Sequence, residues 1–225
     1  MATHLDLEEQ EQLDQLKSFW NQHGNWISWV LIVGLLAYGG WNAWTYYQRT
    51  QAEKAGSLYD ELERAAKAGD AAVAGRVFAD MKSRYPRAMF TQQAGFLAAK
   101  TEVDKGQLDA AKADLSWVAG NADEREYRSI ARLRLAGVLL DEKKYDEALR
   151  QLDSVDGASF AGLAADRRGD VLSAAGKPEE AKAAYLKSWT AMDPKVDYRR
   201  LVEAKLNALG VQPAASAASA GGVAK

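Results

Sequence analysis

From Trp26 to Tyr47 the chain is apolar and carries no Asp, Glu, Lys or Arg; none occurs between Lys17 and Arg49. Twenty-two helical residues reach roughly 33 Å, enough to cross a hydrocarbon core of about 30 Å. Trp20, Trp26 and Trp29 lie toward one end of this run, and Trp41, Trp44, Tyr46 and Tyr47 toward the other. Amphipathic rings at both ends mark the two interfaces of a single membrane span. Beyond Arg49 the texture changes to alanine-rich, charged sequence in which apolar positions recur with a helical period. That pattern predicts helices over 50–68, 71–84, 88–104, 108–119, 124–142, 145–153, 159–175, 178–191 and 197–209. Between them stand Ala68-Gly69-Asp70, Tyr85-Pro86, Lys105-Gly106, Gly120-Asn121, Asp156-Gly157, Gly176-Lys177-Pro178 and Asp193-Pro194, all turn or breaker chemistry. Short loops between amphipathic helices make antiparallel neighbours, so the fold class is all-α.

The helices also repeat. Lys105-Gly-Gln-Leu-Asp-Ala-Ala111, Lys143-Lys-Tyr-Asp-Glu-Ala148 and Gly176-Lys-Pro-Glu-Glu-Ala181 each place a turn, a helix start and an alanine in the same order, with alanines 37 and 33 residues apart. A fainter copy sets Gly69 before Ala74 and Phe78. A period near 34 built of helix–turn–helix pairs is the mark of tetratricopeptide repeats. The small residue is expected where the two helices of a pair cross, with Phe78, Leu115, Leu152 and Tyr185 as filler against the neighbouring pair. Leu62, Ala99, Ala136 and Gly169 fall at the packing position of the first helices. The aromatic expected at the motif's fourth position is replaced by Gly95, Arg132 and Ala165 in the three clearest copies. The prediction is one N-terminal transmembrane helix followed by a tetratricopeptide-like α-solenoid of about four helix pairs.

Residues 1–25 form an acidic N-terminal tail, with Asp6, Glu8, Glu9, Glu11 and Asp14 against Lys17 alone. Leu5, Leu13, Leu16, Phe19 and Trp20 give it one apolar helical face that could lie along the membrane surface; a mostly disordered tail is the alternative. A cleaved signal peptide would need a basic start and a shorter apolar region, so the segment is expected to stay attached. The remaining divisions are a transmembrane helix at 26–47, the repeat domain at 48–209, and a disordered Ala/Ser/Gly tail at 210–225 with too little apolar mass to offset chain entropy. Within the span, Gly34, Ala37 and Gly40 share one helical side, a candidate face for packing against a partner's membrane helix.

Composition then narrows the function. With 29 basic and 31 acidic residues the net charge is −2, which offers no stripe for nucleic acid. The chain has no cysteine, which removes disulfides, thiol catalysis and cysteine-based metal sites, and its two histidines, His4 and His23, precede the span. Paired carboxylates such as Glu179-Glu180 and Asp141-Glu142 sit at helix starts or exposed turns, and near a helix N-terminus they complement the dipole. Ala175-Gly-Lys-Pro178 lacks the preceding glycine and strand of a phosphate loop. No catalytic, cofactor-binding or metal-ligating residue is assigned, no cofactor is expected, and the chain is read as not an enzyme. What remains is surface. Counting along the repeat puts Phe96, Lys100, Leu133, Leu140, Asp166 and Asp170 on the concave side lined by first helices, a mixture suited to an extended peptide or another protein.

Residues 1 to about 209 resemble the YfgM family of ancillary SecYEG translocon subunits. The resemblance rests on the acidic start, the early span rich in tryptophan and glycine, and the degenerate helix pairs. Its most telling segments are Arg132-Leu-Arg-Leu-Ala136 with Ala148-Leu-Arg-Gln-Leu-Asp153, and Ala165-Asp-Arg-Arg-Gly-Asp170 with Ala181. The resemblance implies a protein of the bacterial inner membrane with periplasmic repeats. Its implied partners are the SecYEG translocon and the membrane-anchored chaperone PpiD, with emerging proteins passed to periplasmic chaperones. A contact between the N-terminal tail and the response regulator RcsB is also implied. The charge flanks point the other way: Arg49, Lys54, Arg64 and Lys67 follow the span and only Lys17 precedes it. Taken alone, the positive-inside rule puts the repeats in the cytoplasm, as a tetratricopeptide adaptor that sequesters a soluble regulator.

Overall fold

The computed structural model describes residues 7–213. The first six residues of the acidic tail and residues 214–225 of the Ala/Ser/Gly tail, with the expectations attached to them, lie outside the described residues. Among the described residues the elements are all helical: α1 (Leu7–Ala68), α2 (Ala71–Arg84), α3 (Met89–Asp104), α4 (Leu108–Asn121), α5 (Arg125–Asp141), α6 (Tyr145–Asp153), α7 (Ala158–Ala174), α8 (Pro178–Ala191) and α9 (Tyr198–Ala208). The chain divides into two compact units, Met1–Gln51 and Ala52–Lys225.

In the first unit, α1 carries the apolar run, and it is the one helix among the described residues long and apolar enough to cross a membrane. Trp26, Trp29, Leu35, Leu36 and Trp41 are all exposed, with Trp41 73% accessible. Aqueous exposure of this much apolar surface would be very costly, whereas lipid accepts it. Two threonine hydroxyls near the end of the run close on the helix itself: Thr45 donates to the Trp41 carbonyl at 2.8 Å and Thr50 to that of Tyr46 at 3.0 Å. Gly34, Ala37 and Gly40 are exposed, and a Cβ added at Gly34 or Gly40 would meet nothing within 4 Å.

The second unit stacks helix pairs, with the C-terminal part of α1 and α2 first, then α3 and α4, α5 and α6, and α7 and α8. The alanines singled out by the repeat, Ala74, Ala111, Ala148 and Ala181, are fully buried where paired helices cross. Phe78, Leu115, Leu152 and Tyr185 fill the core beside them, and Leu62, Ala99 and Ala136 are buried on the first helices. Gly95 explains the missing aromatic in its copy. A Cβ there would stand 2.4 Å from Val118 Cγ2 and 2.8 Å from Phe78 Cζ, so the bulk comes from the neighbouring helices instead.

One turn recurs inside all four pairs. Gly69, Gly106, Lys143 and Gly176 adopt left-handed backbone, with φ of 68°, 73°, 61° and 75°. The amide one residue later reaches back five residues: Asp70 to Ala65 at 2.9 Å, Gln107 to Glu102 at 2.8 Å, Lys144 to Leu139 at 2.8 Å and Lys177 to Leu172 at 2.9 Å. These bonds satisfy carbonyls that the ending helix leaves open. The chain is thereby reversed in the same way each time, which sets the first helices side by side.

Candidate protein-binding face

The first helices of successive pairs meet through aromatic and cationic side chains. Tyr59 of α1 packs against Phe90 of α3 with ring centroids 5.7 Å apart. Phe96 of α3 stacks on Tyr127 of α5 at 5.8 Å, and Gln93 donates to the Tyr127 hydroxyl at 3.1 Å. The Arg134 guanidinium lies over the Phe96 ring, 4.7 Å from its centroid. Further along, the Arg167 guanidinium of α7 passes over Gly137 of α5, 3.9 Å from the place a Cβ would occupy. The result is a strip in which Gln93, Phe96, Tyr127 and Arg167 are half-buried and Arg134 is exposed.

Of the six residues that counting along the repeat puts on this side, the structure brings Phe96 and Lys100 together on α3, with Lys100 exposed and paired to Asp104. Leu133 and Leu140 are half-buried against the core cluster of Ala99, Leu115, Leu135 and Leu139. Asp166 and Asp170 face the C-terminal helix. Lys205 of α9 donates to Asp166 Oδ1 at 2.8 Å and Oδ2 at 2.9 Å, and to Asp170 Oδ1 at 2.7 Å. The Tyr198 hydroxyl donates to Asp166 Oδ2 at 2.7 Å and the Tyr185 hydroxyl to Asp170 Oδ1 at 2.9 Å. Asp166 is left 1% exposed. Burial, reinforced by the Asp166 hydrogen bond, pushes the Tyr198 phenol up to about 12. Burial first and Asp170 second push the Tyr185 phenol up as well, so both hydroxyls remain donors. Val202 and Leu206 of α9 are fully buried against Leu172, Ala181, Ala184 and Tyr185. Helix α9 thus covers the end of the last pair.

Gln93, Tyr127, Arg134 and Arg167, absent from the sequence-derived set, complete the strip. A usable signal for Arg134 existed: it lies seven residues after Tyr127, two turns along one helical face. The other charged motifs are committed to structure. Glu179 and Glu180 occupy the first turn of α8. Glu142 ends α5 and accepts from Lys112 at 2.6 Å. Arg168 pairs with Asp153, and Arg199 stacks on Trp189 at 3.8 Å.

The strip sets flat apolar rings beside guanidinium groups. A family model described as a tetratricopeptide repeat-like domain matches residues 17–211. The chain is similar to the ancillary SecYEG translocon subunit of Neisseria gonorrhoeae (strain ATCC 700825 / FA 1090), with 35% identity over 213 residues, covering 93% of this chain and 100% of that protein. It is also similar to the proteins of the same name from Escherichia coli (strain K12), at 27% identity over 90% of this chain and 97% of the relative, and Haemophilus influenzae (strain ATCC 51907 / DSM 11121 / KW20 / Rd), at 29% over 80% and 87%. No solved structure matches.

Proposed function

The chain belongs to the YfgM family of ancillary SecYEG translocon subunits, and from that membership we propose that it is a non-catalytic, membrane-anchored interaction protein of the translocon. It sits in the bacterial inner membrane through a single span at 26–47, with residues 1–25 on one side and the repeat domain of 48–209 on the other. The repeats hang in the periplasm, associate with a PpiD-type membrane chaperone, and pass emerging secreted proteins to periplasmic chaperones. The observation that carries this reading is the extent of the likeness. A translocon subunit is matched over its full length, apolar segment and repeats together. The small-residue side of the span, Gly34, Ala37 and Gly40, is available for a partner's membrane helix, because a Cβ at either glycine would meet nothing.

The test is recovery of partners by the full chain after crosslinking and extraction in mild detergent. SecYEG and a PpiD-type chaperone are expected in the eluate, and absence of both sinks the proposal. A second reading is favoured by one observation: four cations follow the span within about twenty residues and Lys17 alone precedes it. In that reading the repeats face the cytoplasm as an adaptor that sequesters a soluble partner such as a response regulator. Protection of the repeats in intact spheroplasts would support it over the first.

A further inference from the structure

Apart from Arg125 at the start of α5, the arginines of α5 and α7 divide into two kinds. Arg128 donates to the carbonyls of Ala122 at 2.6 Å and Asp123 at 2.9 Å. Arg132 donates to the Ser154 carbonyl beside Asp156, and Arg168 pairs with Asp153. Each of these ties a turn or a neighbouring helix into place. Arg134 and Arg167 do not. Arg134 lies over Phe96, and burial lowers its affinity for a proton with no carboxylate acting against that. Arg167 is 3.9 Å from Asp170 Oδ2, while the other oxygen of Asp170 is held by Lys205 and Tyr185. Arg134 and Gly137 are three residues apart and share one side of α5. Because Arg167 passes over Gly137, both arginines lie along the same side of α5. Leu163, 38% exposed, lies one turn before Arg167 on α7.

A guanidinium's planar fork matches a carboxylate in two parallel hydrogen bonds, and one that lies over an aromatic ring is held in place to make them. We propose that this face holds an extended acidic segment of a protein partner through a carboxylate set between Arg134 and Arg167, with a neighbouring aromatic or apolar side chain against Phe96 and Leu163. Nucleic acid is the wrong occupant. The same helices carry Asp104 and Asp170, and two cations cannot track a phosphate backbone. The inference deepens the interaction reading above and rests on it for the existence of a partner, while the chemistry of the segment comes from the strip alone.

The experiment uses the full chain in detergent micelles and a short fluorescein-labelled probe peptide carrying Glu-Phe steps in a Gly-Ser background. Its Gln-Phe counterpart serves as comparison, and fluorescence anisotropy reads binding. The Glu probe is expected to bind roughly tenfold or more tighter than the Gln probe, and to lose that advantage as salt is raised. Arg134→Gln combined with Arg167→Gln should abolish the preference, and Arg134→Lys should retain part of it. Equal binding of the two probes, no binding of either, or an undiminished preference in the double variant overturns the proposal. Recovery of SecYEG by the unmodified chain is scored in parallel. Recovery without a Glu preference removes the carboxylate site alone. A Glu preference without recovery supports the site and removes the translocon reading.

Discussion

Glu102 enters the interior of the repeat domain from α3 and is 3% exposed, with its Oε2 lacking any hydrogen-bond partner. Asp114 of α4, also buried, lies close by, and Lys82 of α2 donates to Asp114 at 2.9 Å. One lysine therefore serves two carboxylates. Burial first and the Asp114 charge second raise Glu102 to about 7, against a smaller opposing pull from Lys82. Burial also raises Asp114, offset in part by its bond to Lys82. A carboxylate whose folded value lies above its unfolded one binds more protons in the folded state between the two. Stability should therefore fall as pH rises from about 4.5 to about 7, and the cost is fully present above that. Glu102→Gln keeps the shape and removes the charge. It is expected to raise stability by about 2 kcal/mol at pH 8 and to flatten the pH dependence between 5 and 8, measured by urea unfolding of the detergent-solubilised chain. A variant less stable than the parent at pH 8 would show that Glu102 is ionised and satisfied there.

At the scale of the element, the four left-handed turns invite direct comparison. Three use glycine and the third uses Lys143, whose Cβ makes φ of 61° unfavourable. Lys143→Gly relieves that strain but adds freedom to the unfolded chain. The net expectation is a gain of about 0.5–1 kcal/mol, visible as a rise of about 1–4 °C in the melting temperature. The opposite holds on α7. A Cβ at Gly169 would stand 2.4 Å, 2.5 Å and 2.8 Å from three atoms of the Tyr185 ring, and that ring is held by its hydroxyl's bond to Asp170. Gly169→Ala should therefore cost about 1–3 kcal/mol by overpacking, despite alanine's better helix propensity. Helix α9 is fastened chiefly by Val202, Leu206 and the Lys205 contacts. Lys205→Ala leaves the buried Asp166 with only the Tyr198 hydroxyl, at a cost of about 2–4 kcal/mol. Loosening of α9 would be read as faster proteolytic cleavage between Ala191 and Tyr198; an unchanged cleavage rate would mean that the apolar contacts suffice.

For the whole molecule, local chemistry made most of the fold legible. The limits predicted for α2, α6 and α8 coincide with those found. At α2, Asp70 caps the start by accepting from the Val73 amide at 3.0 Å, and Tyr85-Pro86 ends the helix. Pro178 at the first position does the same for the start of α8. The segment from 50 to 68 proved to be the end of a helix that begins at Leu7, since no proline interrupts it. The candidate face was harder to read. A single residue is about 100° of helical rotation, enough to choose Leu133 over Arg134. The fate of Asp166 depends on Lys205, thirty-nine residues later, which no count within one helix reveals. Membrane orientation belongs to this scale too, and there family membership and flanking charge point in opposite directions. Because the chain has no cysteine, one placed at Asn121, exposed at the end of α4, is a unique handle. A membrane-impermeant maleimide should label it in intact spheroplasts, because long domains translocate largely regardless of local charge. Labelling only after lysis would mean that Arg49, Lys54, Arg64 and Lys67 held the repeats inside. The acidic segment recognised by Arg134 and Arg167 would then belong to a cytoplasmic protein rather than to one in the periplasm.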